Sequence, residues 1–317
     1  MTVAVLAGGV GAARFLNGLV TVVAAESVTA IVNTGDDTQL HGLDISPDLD
    51  TITYTLAGAI DPDRGWGLAG ETWTSMEALQ RYVAVRPDGS AAAPTWFNLG
   101  DRDLATHFYR TARRAEGASL TEVTAEIAEA WGLELRILPM TDDRFRTLIR
   151  LADSGDEVAF QDYFVRLRHG VPVSGIRFDH AAEPSGDALH AIDSADVVVI
   201  APSNPLVSIG PIRALPGVDD ALARRRSSVV AVSPIVGGAA LKGPADRMLT
   251  ELGMEASVVG VARLYAPIAD ALVVDPVDAH LADAVRAAGL RCIVEPSIMS
   301  TPERAAALAS ACLAAAD

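Results

Sequence analysis

The first five residues that pattern as a unit, Val3 to Ala7, are all apolar. They give way to Gly8, Gly9, Val10 and Gly11, and then to an Ala- and Leu-rich stretch through Val23. A short, unbroken apolar run reads as a strand buried on both faces, so this order predicts strand, glycine turn, helix. A second run, Val28 to Val32, stops at Asn33, Thr34, Gly35, Asp36 and Asp37. Similar runs recur late in the chain at Val197 to Ala201, Val229 to Val232, Val258 to Val261, Ala271 to Val274 and Arg291 to Val294, and each predicts a strand. Helical spacing appears at Asp50 to Leu56, Ala279 to Ala288, Pro302 to Ala315 and Leu120 to Trp131. In the last of these Val123, Ile127 and Ala130 share a face and Gly132 suits the end.

Between residues 133 and 185 the texture changes. Leu135 to Leu138, Phe145 to Leu151 and Val173 to Phe178 read as short strands around a helix at Val158 to Leu167. That pattern suggests a small α/β subdomain rather than another parallel crossover. The expected class is therefore α/β: a Rossmann-like three-layer core with a mostly parallel sheet, plus a helical insertion and the small subdomain. The expected division is 1–132 for the first part of the core with its insertion, 133–185 for the subdomain, and 186–317 for the rest of the core. Asp88 to Pro94 reads as a loop.

Composition narrows the function classes. The 317 residues are 50% hydrophobic, which rules out global disorder, and the formal net charge is −16. A nucleic-acid partner needs a basic footprint, and only Arg224, Arg225 and Arg226 cluster, so no nucleic acid is expected. Cys292 and Cys312 stand alone, without the spacing of a disulfide framework or thiolate metal site. There is no basic leader with a cleavage pattern and no apolar run of about 18 residues, so the expected location is cytoplasmic, away from membrane.

The strand exits carry the candidate chemistry. Gly8, Gly9 and Gly11 lack side chains where a helix begins, so backbone amides could approach phosphate oxygens; the lysine and hydroxyl of a complete P-loop are missing. Asp36 and Asp37 close the next strand, and carboxylates beside a diphosphate call for a bridging Mg²⁺; an Asx turn capping a helix is the plain alternative. Asp44, Asp48 and Asp50 form a second acidic group around Ser46 and Pro47, and spacing does not select among metal binding, alcohol orientation and capping. Trp66, Trp73, Trp96 and Phe97 lie near polar residues that include Asn98 and Asp101, a texture suited to a flat heterocycle or to plain packing. His107 is a candidate substrate contact or a structural helix histidine. Two later exits hold Ser203 and Asn204, then Ser233, Gly237 and Gly238 with Lys242 close behind; these could contact a nucleotide or form sharp connections.

Taken in order, these segments resemble the 2-phospho-L-lactate transferase family, CofD in archaea and FbiA in actinobacteria, over nearly the whole chain. The resemblance rests on Gly8–Gly11, Asn33–Asp37, His41–Gly42–Leu43 leading to Ser46–Thr51, Leu99–Asp103, Ser203–Pro205 and Ser233–Gly238. It implies a step of coenzyme F(420) biosynthesis. The terminal ribityl hydroxyl of the deazaflavin Fo would attack a guanosine diphosphate-linked phospholactate or phosphoenolpyruvate, releasing GMP with Mg²⁺ as cofactor. The Ala- and Arg-rich texture is similar to actinobacterial members and favours the enolpyruvyl donor. The resemblance puts the acceptor near Asp50, with Trp96, Asn98 and His107, and makes Asp50 the catalytic candidate. Donor contacts would come from Gly8, Gly9, Gly11, Thr34, Ser203, Asn204, Ser233, Gly237, Gly238 and Lys242, and the metal from Asp36, Asp37 and Asp44. Family members often carry a basic residue where Asn98 stands. A homodimer is also implied. The alternatives are a nucleotide-sugar-binding regulator resembling gluconeogenesis factors, a nicotinamide dehydrogenase and an inactive scaffold.

Overall fold

The computed structural model describes residues 1–179 and 181–316; His180 and Asp317 lie outside the described residues. From the N-terminus, β1 (Val3–Ala7) feeds α1 (Gly9–Leu19), and β2 (Val28–Val32) leads to the hairpin β3 (Thr38–Leu40) and β4 (Leu43–Ile45). Four helices follow: α2 (Pro47–Leu56), α3 (Thr74–Val83), α4 (Asp103–Ala115) and α5 (Leu120–Ala130). Next come β5 (Arg136–Pro139), β6 (Arg146–Leu151), β7 (Glu157–Ala159) and β8 (Val173–Asp179). The chain continues through α6 (Ala188–Ser194), β9 (Val197–Ile200), α7 (Ile209–Arg213), α8 (Val218–Arg224) and β10 (Val229–Val232). A small hairpin, β11 (Ile235–Val236) and β12 (Ala239–Ala240), precedes α9 (Ala245–Glu251) and α10 (Val258–Tyr265). The last elements are β13 (Ala271–Val274), α11 (Ala282–Ala287), β14 (Arg291–Val294) and α12 (Pro302–Ala314).

The main sheet has seven strands in the order β14-β13-β10-β9-β1-β2-β5, and every pairing is parallel. Alternate residues of each strand enter opposite cores, as a period of two requires. Leu6, Ile31, Val198, Ile200 and Ala231 join Ile192, Ile212 and Leu222 of α6, α7 and α8 on one face. Val5, Val32, Val199 and Val230 join Phe15, Ile52 and Leu308 of α1, α2 and α12 on the other. This is the expected three-layer, Rossmann-like arrangement.

Four expectations are corrected. Val258 to Val261 is helix, the start of α10: Ser257 accepts hydrogen bonds from the Val259 and Gly260 amides and caps it. That cap, together with burial of Val258, Val259, Val261 and Ala262, overrides the β-branched texture. The stretch at 135–138 is not part of the small subdomain, because β5 pairs with β2 at the edge of the main sheet. Val158 to Leu167 is not one helix: β7 takes its start, and a five-residue π-helical turn, Asp162–Arg166, follows. On α5, Ala128 rather than Ala130 completes the buried face. The remaining strands β6, β7 and β8 form a separate antiparallel sheet in the order β7-β6-β8.

Candidate active site

Strand order reverses between β1 and β9, since β1 has its chain successor β2 on one side and the late strand β9 on the other. A crevice at the carboxyl ends of the strands is the natural ligand position in such a sheet. The two sides are tied together at this point. Ser203 Oγ accepts from the Gly8 amide at 3.3 Å and donates to the Gly8 carbonyl at 2.8 Å.

The glycines of the first turn are required by close packing. A Cβ on Gly8 would lie 2.8 Å from Asp48 Oδ2 and 2.8 Å from Ser208 Cβ, and one on Gly11 would collide with the Pro202 carbonyl. Gly9 adopts φ +68°, the left-handed region that favours glycine, and its amide donates to Asp48.

Asn33 organises the acidic centre. Its Nδ2 donates to Asp48 Oδ2 at 2.9 Å and Asp36 Oδ1 at 3.1 Å, while its Oδ1 accepts from the Gly35 amide at 2.8 Å. Gln161 reaches in from the small subdomain and donates to Asp36 Oδ2 at 3.2 Å. Ser46 donates to Asp37 Oδ2 at 2.7 Å, and Asp37 Oδ1 is buried without a hydrogen-bond partner. Thr34 Oγ1, also buried, lacks one too.

Burial and mutual repulsion push these carboxyls upward. Asp36 is raised well above the usual carboxylate range by burial, then by Asp48 and Asp37. Asp37 is raised well above it by burial, against the Ser46 hydrogen bond and the Arg110 charge. Asp48 is raised to about 6, also by burial, although Asn33 and the Gly9 amide oppose the shift. Three buried carboxylates, one with a bare oxygen, offer the oxygen-only ligands that suit a hard divalent ion.

Asp50 belongs to a different group. It lies two residues after Asp48 on α2 and therefore points to another side of the helix, toward α4. Both its oxygens meet the Arg110 guanidinium, NH1 at 3.1 Å to Oδ2 and NH2 to Oδ1. His107 Nδ1 lies 3.8 Å from Asp50 Oδ2, and His107 Nε2 lies 3.3 Å from Asp103 Oδ2. Tyr54 donates to Asp103 Oδ1 at 2.6 Å. Asp103 sits below its ordinary value: burial works against its charge, and the contacts from His107, Tyr54 and Arg110 prevail. Asp50, Asp103 and His107 each offer a ligand atom, all within 4.8 Å of one another, and among the described residues they are the group of metal-ligating spacing.

The structure thus brings Gly8, Gly9, Gly11, Ser203, Asp36 and Asp37 to one acidic centre and Asp50 and His107 to its neighbour. Other candidates are placed differently. The Asp44 carboxylate faces Gln39 across the β3–β4 hairpin, at 2.7 Å. Trp96 packs edge-on against Phe97 in a small cluster with Leu40, Ile45 and Leu99, and Asn98 is exposed. Asn204 turns its oxygen onto its own loop, accepting from the Leu206 amide at 2.9 Å. Ser233 likewise accepts from the Ile235 amide at 3.1 Å. Gly237 and Gly238 form the positive-φ turn of the β11–β12 hairpin, where Asp278 accepts from the Gly237 amide at 2.8 Å. Lys242, exposed and the only lysine of the chain, reaches Gly65 beside the glycine turn: a Cβ on Gly65 would lie 2.9 Å from its Nζ and 3.8 Å from Val10.

Arg110, Tyr54 and Gln161 complete the site without having been singled out from sequence; Asn33 and Asp48 stand in the strand-exit and acidic segments of that reading without an assigned role. One signal was available: Asp103, His107 and Arg110 recur at intervals of four and three, the spacing of a single helix face.

The model of the family described as 2-phospho-L-lactate transferase CofD matches residues 3–295. The chain belongs to the CofD family. Relatives named phosphoenolpyruvate transferase span almost the full length: the one from Kitasatospora aureofaciens is 43% identical, covering 100% of this chain and 98% of its own. Those from Streptomyces griseus and Mycobacterium tuberculosis are 44% and 39% identical, each covering 98% of this chain and 96% and 97% of their own. A solved structure, an upf0052 family protein from Bacillus halodurans, aligns with a TM-score of 0.62 at 16% identity over 98% of both chains. At that identity it shows a shared fold alone. As a CofD-family member the chain is a transferase of coenzyme F(420) biosynthesis that moves a phospholactyl or phosphoenolpyruvyl group.

Proposed function

We propose that the transferred group comes from a guanosine diphosphate-linked phosphoenolpyruvate and goes to the terminal ribityl hydroxyl of Fo, with GMP released and dehydro coenzyme F(420)-0 formed. The enolpyruvyl form is preferred over phospholactyl because full-length relatives at 39–44% identity carry the name phosphoenolpyruvate transferase. The observation that carries the reading is the division made by the first turn of α2: Asp48 faces the glycine turn and Asn33, and Asp50 faces Arg110 and His107. One helix end therefore supplies a carboxylate to each of two adjoining compartments.

The donor compartment is assigned Gly8, Gly9, Gly11, Thr34, Ser203 and Asn204, with Ser233, Gly237, Gly238 and Lys242 at its far lip. The acceptor compartment is assigned Asp50 and His107, with Trp96 and Asn98 outside them. Asp50 orients the attacking hydroxyl. A new oxygen–phosphorus bond forms at the acid-bearing phosphorus, the bond to the GMP oxygen breaks, and the hydroxyl proton leaves on the GMP phosphate. In-line placement of hydroxyl and leaving group supplies much of the rate. Asp36, Asp37 and Asp48 fit Mg²⁺ best by their oxygen-only character, and Asp50, Asp103 and His107 are the second candidate set. When bound, the ion neutralises charge growing on the phosphates.

The test is purified protein with Fo, Mg²⁺ and each guanosine-linked donor in turn, with product masses recorded. The enolpyruvyl donor should give product and GMP at the higher kcat/KM. Nucleotide binding without GMP release in any mixture would favour a regulatory binder instead.

A further inference from the structure

Arg110 heads the fully buried side chains of the protein by volume. A guanidinium out of water is costly unless its charge is paired, and an apolar side chain of similar size is often the more stable choice at such a position. Arg110 is also incompletely satisfied, because its Nε has no hydrogen-bond partner. Stability alone is therefore a poor explanation for it.

Its terminal nitrogens turn toward Asp50. They bracket both oxygens of Asp50, and NH1 also lies 3.4 Å from the Asp44 carbonyl and 3.4 Å from His107 Nδ1. His107 packs between the two carboxylates, its Nδ1 3.4 Å from Arg110 NH1 and its Nε2 3.3 Å from Asp103 Oδ2. Asp103 is held in turn by Tyr54. The bracket from Arg110, backed by His107, holds the Asp50 carboxylate by both of its oxygens.

We infer that Arg110 is a positioning residue: its bracket on both carboxylate oxygens fixes Asp50 as a hydrogen-bond acceptor for the attacking hydroxyl. The inference rests on the proposed reading that Asp50 faces the acceptor. Orientation of the hydroxyl in line with the leaving group is the contribution such a held carboxylate makes.

The experiment compares wild type, Arg110→Met, Arg110→Lys, Asp50→Asn and the uncharged pair Asp50→Asn with Arg110→Gln. Each is measured for thermal unfolding, GDP affinity, and kcat and KM for Fo with product detected by mass. Arg110→Met should lower kcat by about 100-fold with GDP affinity within about 3-fold, and Arg110→Lys should recover most of the loss. The uncharged pair should be at least about 10-fold faster than Asp50→Asn alone, since the amides reproduce the bracket without an orphaned charge. A pair no faster than Asp50→Asn, or a folded Arg110→Met with wild-type kcat, overturns the inference. Should Arg110→Met fail to fold, the pair decides. Wild-type protein that forms no product would sink the transferase reading and this inference with it; product formation indifferent to Arg110 sinks this inference alone.

Discussion

Burial holds Asp36, Asp37 and Asp48 above the usual carboxylate range, and the consequence is measurable. A carboxyl raised in the folded state binds protons more tightly folded than unfolded, so its contribution to stability is greatest below the unfolded value and is lost as pH rises through the folded one. For Asp48 that window runs from about 4 to about 6, and the loss is on the order of 1–3 kcal/mol. In metal-free protein the unfolding midpoint should therefore fall across that window, and Mg²⁺ should reverse the fall above it; a flat midpoint would mean these carboxyls are not raised. Asp48→Asn should flatten the curve. The separate variants Asp36→Asn and Asp37→Asn should behave unequally in a Mg²⁺ titration of transfer rate, because Asp36 is already held by Asn33 and Gln161 while Asp37 keeps one bare oxygen. The larger rise in required Mg²⁺ is expected for Asp37→Asn. The aspartates at strand exits were visible in the sequence because the apolar run before them announces the exit. Arg110 was not: its role depends on a contact sixty residues away with Asp50, which no local pattern encodes.

Among elements, legibility followed burial. The strands β1, β2, β9, β10 and β13 are almost wholly buried, so their unbroken apolar runs matched the structure closely. The same signal misread α10, since a short buried helix is as apolar as a buried strand. What separates them is Ser257, and Ser257→Ala should cost about 1 kcal/mol in chemical denaturation, with transfer activity retained in the folded fraction. The edge strand β5 was assigned to the wrong sheet because pairing is a long-range choice; its sequence says strand and leaves the neighbour open. Gly18 illustrates packing that sequence cannot announce: a Cβ there would collide with the backbone of α12 at Ala305. Gly18→Ala should consequently destabilise the protein despite its better helix propensity, by more than the roughly 1 kcal/mol that propensity gains. A stabilised variant would show that α1 and α12 have room to separate.

The whole molecule is acidic, at −16, and is assigned an anionic donor. Long-range repulsion must be met locally, by amides at the glycine turn and by a cation in the acidic centre. GDP affinity should thus rise at least about 10-fold on adding Mg²⁺ at low ionic strength, measured by calorimetry, and the gain should shrink as salt screens the field. The two halves of the sheet meet at the Ser203–Gly8 contact, and the small antiparallel subdomain touches the same centre through Gln161. None of that convergence lies in one segment: residues 8, 33, 48, 161 and 203 meet only because parallel crossovers bring every strand exit to one edge.

Lys242 reaches Gly65 beside the glycine turn, and the chain has no second lysine. Its side-chain amine is therefore a unique chemical address. Apart from the terminal amine, an acylating reagent can mark this protein at one place only, and that place borders the cleft. A fluorophore installed there under mild alkaline conditions would act as a built-in reporter, its environment changing as the cleft fills and empties, without any engineered residue.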